Sequence, residues 1–152
     1  MLHVAIVHRS LVPELLSGRK YVESRLSSRR SAPFGVVAVG DRIYFKASGG
    51  PFFATALAEH VEHFTFLTPR KVRLLARLYG DAVRATPEYW RSKLNARVGT
   101  FILLAKVTPV TEGPDYAAFP HYNRRAAWHA INDAGHFPRT PSPGPARPTC
   151  AV

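Results

Sequence analysis

The stretch Gly18-Arg19-Lys20-Tyr21-Val22-Glu23-Ser24-Arg25 (GRKYVESR) sets Lys20, Glu23 and Arg25 within six residues, just after a glycine. The segment from Lys20 to Leu26 reads as a strand. Strand alternation assigns Lys20, Val22 and Ser24 to one face and Tyr21, Glu23 and Arg25 to the other. One account is a solvated edge strand with a local ion pair. The other is that Lys20, Glu23 and Arg25 line a cleft for an anionic or hydrogen-bond-rich ligand, with Lys20 and Arg25 holding a phosphate or carbonyl oxygen and Glu23 accepting hydrogen bonds from a base edge.

Outward from this segment the chain is punctuated clearly. Leu2 to His8 is β-rich, and Ser10 with Pro13 and Glu14 starts a short helix that Gly18 ends. The polar loop after Leu26 carries Arg29 and Arg30. Gly40-Asp41 is a turn, Arg42 to Lys46 alternates as a strand, and Gly49-Gly50-Pro51 turns the chain into another from Phe52 to Phe64. Thr68-Pro69 and Thr86-Pro87-Glu88 are helix starts. In the first of these helices Val72, Leu75 and Tyr79 share one side, and Arg70, Arg73 and Arg77 the other. The run after Arg97, VGTFILLAKVTPV, reads as a buried central strand, and RRAAWHAIND (124–133) as a last short helix.

That order predicts an α+β fold, a small, mostly antiparallel β-barrel with helices packed outside it. It does not alternate regularly enough for a doubly wound parallel sheet. The expected domain is 1–137. The five prolines between 138 and 148 predict a disordered tail over 138–152, for which a weak protein partner is the functional expectation.

With 152 residues and 46% hydrophobic content, the chain is a globular domain rather than a disordered one. Twenty-one Lys and Arg against ten Asp and Glu give a formal charge of +11, which favours polyanionic partners, nucleic acid before acidic membranes. No apolar run is long enough to span a bilayer and the N-terminus lacks a secretory pattern, so a cytoplasmic location without membrane contact is expected. Cys150 stands alone and rules out an internal disulfide. His60 and His63 point to opposite faces if on a strand, and no zinc spacing occurs, so neither a metal nor another cofactor is expected. A serine nucleophile elbow and a Walker loop are both absent.

Gly18-x-Lys20-x-x-Glu23-x-Arg25 resembles the G-x-K-x-x-E-x-R signature of ASCH domains, members of the PUA-like superfamily. The GDRIYFK segment (40–46) and the late FILLAKV (101–107) fall where that family has its next turn and strand and its closing strand. The resemblance covers about residues 2 to 110. It implies a pseudo-barrel with a cleft beside the motif, and binding of RNA, a nucleotide, a nucleoside or a modified base. It also leaves a hydrolase open, of either the acetylated-cytidine amidohydrolase or the ribonuclease type, with Lys20 and Glu23 as catalytic residues. In the deacetylating branch the position three after the lysine is threonine. Here it is Glu23, with Ser24 one residue on, and Glu59 and Glu62 are candidates for the third position. Tyr21 and Trp90 are candidate stacking residues, and Lys46 and Ser48 candidate rim residues. Arg29, Arg30, Arg70, Arg73, Arg77, Arg91 and Lys93 are candidates for a phosphate track.

Overall fold

The structure, a computed structural model, describes residues 1–119 and 122–131. The strands are β1 (Leu2–Val7), β2 (Val22–Ser27), β3 (Arg42–Ala47), β4 (Phe52–Phe64), β5 (Val98–Pro109) and β6 (Trp128–Ile131). The α-helices are α1 (Val12–Leu16), α2 (Pro69–Val83) and α3 (Pro87–Ser92). Among the described residues no helix is long and apolar enough to cross a membrane. The proline-rich segment 138–152 and Cys150 lie outside the described residues.

The strands form one sheet in the order β2-β5-β4-β3-β1-β6. All pairings are antiparallel except β1 with β3, which run parallel, Leu2 opposite Arg42 through Val7 opposite Ala47. The sheet is therefore mixed. It curls because β4 and β5 are long and bulged: register shifts fall between Thr55 and Leu57 and between Ala58 and His60, and extra residues at such points bend a strand. The expected small, mostly antiparallel barrel is a half-barrel here, barrel-like but not closed, since β2 and β6 are the free ends of the sheet. A side chain spans that seam instead of a backbone ladder. Arg25 on β2 donates from Nη2 to Ile6 O (3.0 Å) and from Nη1 to Ala127 O (3.2 Å), just ahead of β6.

A second correction concerns 124–133, where a helix was expected. Trp128–Ile131 is a strand, pairing antiparallel with β1 from Leu2↔Ile131 to Ala5↔Trp128. Four residues are too few for periodicity to separate helix from strand, and the exposed edge of β1 offers a backbone partner that local propensity does not register.

The concave side of the sheet is filled by Ala5, Val7, Ile43, Phe45, Ala56, Ile102 and Trp128, with Leu15 of α1 completing it. On the convex side α2 and α3 cover β2 and β5, placing Val72, Leu75 and Val83 on Val22, Leu26 and Phe101. Strand β2 serves both layers. Val22 and Leu26 face the helices, while Glu23 and Arg25 face the concave side.

Candidate functional site

Gly18 adopts φ +80°, a conformation that costs a side chain about 1 kcal/mol or more, and it turns the chain from α1 toward β2. Lys20 N then donates to Glu14 O (2.9 Å) and Tyr21 N to Ala82 O (3.0 Å), so both residues are fixed to the helices before the strand begins at Val22. This corrects the expected start at Lys20. Because Lys20 lies ahead of the regular pleat, its side chain is not bound to the Val22 face and reaches Glu23.

Lys20 is 2% exposed. Its ammonium group donates to Val22 O (2.9 Å) and to Val83 O (2.9 Å), the latter at the carbonyl end of α2, where a cation is favoured. The third contact is Glu23 Oε2 at 3.0 Å. An ammonium has three N–H donors, and here all three are occupied. The other oxygen of Glu23 accepts from Arg25 Nε at 2.7 Å. Burial alone would raise the Glu23 pKa. The adjacent Lys20 and Arg25 charges and their hydrogen bonds outweigh that, holding the carboxyl below its ordinary value and therefore ionised. Arg25 also lies over the Trp128 ring, 5.3 Å from its centroid.

The trio converges on one hollow of about 200 Å³ at the seam of the half-barrel. Its first wall is the end of β1, Ile6 to His8 with Leu11. Lys20 and Glu23 to Leu26 form the second, and Val83, Ala85, Tyr89 and Lys93 the third. Tyr89 joins the second and third walls. Its hydroxyl donates to Ser24 O (3.2 Å) and lies 3.0 Å from Ser24 Oγ, and burial pushes the phenol above its ordinary pKa. Lys93 Nζ sits 5.6 Å from the Tyr89 ring centroid.

Other residues singled out in the sequence are elsewhere. Tyr21, 49% exposed, lines a separate hollow of about 270 Å³ with Leu78, Tyr79 and Glu62. Glu62 is engaged by His60 (3.3 Å) and the Tyr79 hydroxyl (3.4 Å), and Glu59 is exposed. Trp90 packs on the α2–β5 core, its ring stacked 6.5 Å from Phe101. Lys46 lies on β3 and Ser48 in the turn beyond it, its carbonyl accepting from Arg9 Nε (3.1 Å); neither lines the seam hollow. Arg29 and Arg30 are exposed on the β2–β3 connection, Arg30 over the Phe34 ring at 5.4 Å. Arg70, Arg73 and Arg77 share an open concavity on the outer face of α2, and Arg91 is paired with Glu88 at 2.9 Å. His63 bonds Thr100 Oγ1 and is separate from the His60–Glu62 pair; among the described residues no group of three or more His, Cys, Asp or Glu is arranged to hold a metal ion.

Two polar lining residues, His8 and Tyr89, were not singled out in the sequence, and Lys93 was assigned to a surface track rather than to a hollow. A signal for the α3 pair was present. Tyr89 and Lys93 are four apart after a Thr86-Pro87 start, so they share a face that Trp90 does not. His8 gave none, because its place depends on how far the sheet curls.

A half-barrel of mixed sheet, helices over β2 and β5, and a charged hollow at the seam define a small α+β protein of barrel-like architecture. Its fold is that of ASCH domains. The similar solved structures include an ASCH protein from Zymomonas mobilis (TM-score 0.63, 17% identity, 86% of this chain and 87% of that one). A serine-to-alanine variant from the same organism gives 0.56 and 20% over 71% and 70% of the two chains, and a tyrosine-to-phenylalanine variant 0.55 and 21% over 72% and 75%. Neither a family model nor a curated protein matches the sequence. The likeness is thus one of architecture, at an identity where side-chain roles do not transfer.

Proposed function

We propose that this protein is a binding module that receives a nucleobase-bearing ligand, a nucleotide or modified base of RNA, in the seam hollow. The observation that carries the reading is the convergence of Lys20, Glu23 and Arg25 on a concavity of about 200 Å³, with three cationic residues and one carboxylate in its lining. The ASCH-type fold and the Gly18–Arg25 pattern direct the choice of ligand class toward nucleobases. Binding is favoured over turnover by the state of the trio. Lys20 has spent its donors on the protein, and Glu23 is held ionised by two cations, which suits a rigid acceptor better than a proton shuttle. The test is titration of ribonucleosides, their monophosphates and short single-stranded RNA at low salt, with the contact mapped by amide shifts. Saturable binding that perturbs β2 and α3 is expected. Undetectable binding of every probe overturns the reading.

Hydrolysis is the second reading, and one feature favours it: Ser24 brings a hydroxyl to the same lining as Lys20 and Glu23. Acetylated cytidine and single-stranded RNA should then be turned over, and Ser24→Ala should abolish product. Product formation unaffected by that substitution removes Ser24 as the nucleophile.

A further inference from the structure

The seam hollow carries a division of labour among its polar groups. Lys20 has all three N–H donors engaged, by Glu23 and two backbone carbonyls, each oxygen of Glu23 accepts from one cation and keeps a lone pair, and each nitrogen of Arg25 already donates once. Two other lining groups are uncommitted. Lys93 is half-buried, and among the described residues no carboxylate or carbonyl reaches its Nζ, whose recorded contact is the Tyr89 ring. On the β1 wall of the same hollow, the exposed His8 accepts at Nδ1 from Ser10 N (3.2 Å) and pairs there with Ser10 Oγ (2.8 Å). In the neutral ring that leaves the proton on Nε2, which has no partner among the described residues.

We propose that Lys93 and His8 form an oxyanion subsite, so that the hollow takes a phosphorylated nucleoside and discriminates against the free nucleoside. The inference rests on the binding reading above and deepens it. The chemistry is that of charge complementarity. The lining holds Lys20, Arg25 and Lys93 against Glu23 alone, and the charge of Glu23 is already met by the first two. Lys93 therefore faces Arg25 without a counter-charge, and both its burial and that like charge lower its pKa. An incoming phosphate offsets both with its opposite charge, since a hydrogen bond between two ions in a half-buried site is stronger than a neutral one. The third wall is built to hold the group in place. Thr86 Oγ1 accepts from Tyr89 N (3.2 Å) and caps α3, and Lys93 N closes the helix on Trp90 O.

The test is calorimetric titration of the full chain with the four ribonucleosides, their 5′-monophosphates and inorganic phosphate, repeated on Lys93→Met, Lys93→Arg and His8→Leu. At least one monophosphate should bind about tenfold or more tightly than its own nucleoside, the gain expected of one charge-assisted contact. In Lys93→Met that ratio should fall close to one, with Lys93→Arg restoring most of it and His8→Leu lowering it in part. Inorganic phosphate should compete with the monophosphate but not with the nucleoside. Equal affinity for nucleoside and monophosphate overturns the oxyanion subsite and leaves the binding reading standing. A ratio that survives Lys93→Met overturns it too, and binding of neither probe overturns both.

Discussion

Lys20 and Glu23 illustrate what one side chain demands of its neighbours when it is buried. A carboxylate that is 3% exposed is tolerable only because two cations and their hydrogen bonds meet it, and a 2% exposed ammonium only because two carbonyls and that carboxylate do. Glu23→Gln should therefore cost about 3–5 kcal/mol, since it strands Lys20 without a counter-charge, and the denaturant midpoint should fall with little change in slope. The sign of the pH dependence follows from the same contacts. The folded pKa of Glu23 lies below its ordinary 4.5, so its stabilisation is complete above that value and is lost as pH falls through the folded pKa. Asp41 behaves alike: burial opposes its ionisation, but the hydrogen bonds of His3, Ala38 N and the Met1 amino group prevail. Acid unfolding monitored by circular dichroism should begin below about pH 4.5 in the wild type, and Glu23→Gln should flatten that limb without removing it. The charged trio was readable from GRKYVESR. So were the opposite faces of Val22 and of Glu23 with Arg25; the place of Lys20 was not, because it stands outside the pleat, tied through its own N–H to Glu14 O.

At the scale of elements, α3 is the piece on which the third wall depends, and it is short. Six residues from Pro87 to Ser92 gain little from helix propagation, so the Thr86 cap and the packing of Trp90 on Phe101 carry it. Thr86→Ala should cost about 1 kcal/mol, the usual value of such a cap. Much of that loss should be local: amide exchange in α3 should quicken more than in β4 or β5, and monophosphate affinity should drop several-fold as Tyr89 and Lys93 lose their fixed positions. Unchanged exchange in α3 alongside unchanged binding sets the cap aside as a determinant of the site. Caps and turns of this kind were plain in the sequence. Thr68-Pro69, Thr86-Pro87 and Gly18 all act where their chemistry predicts, because each meets its demand within a few residues. Strand β6 was not plain, since Trp128–Ile131 is a strand by virtue of pairing with β1, some 125 positions earlier. Its tryptophan is bonded there as well, Nε1 donating to His3 Nδ1 at 3.2 Å.

For the whole molecule, alternation of short strands and turns indicated a barrel, but whether the sheet closes depends on distant pairings and on bulges in β4 that no local pattern announces. The seam that results holds the hollow. The excess charge is a separate matter of surface. Arg70, Arg73 and Arg77 stand on the outer face of α2, and no ion pair engages them among the described residues. Such a face supplies affinity for phosphates without choosing sequence, and each contact it makes releases counterions. Two modes of binding should then separate by salt. For single-stranded RNA, log affinity should fall linearly with log salt, by about 0.7 for each neutralised phosphate. Replacing all three arginines by Gln should shallow that slope by about 2 if α2 lies on the RNA path. A mononucleotide in the seam hollow reaches none of the three, so the same triple substitution should leave its affinity as it was. Filter binding of a short RNA across a salt series, beside calorimetry with the monophosphate, reads both quantities. An unchanged RNA slope in the triple variant takes α2 off the path and leaves Arg29, Arg30, Arg91 and Lys93 to carry the electrostatic contact. A parallel loss of mononucleotide affinity means instead that the long-range field of the protein, rather than a local phosphate contact, sets binding at the seam.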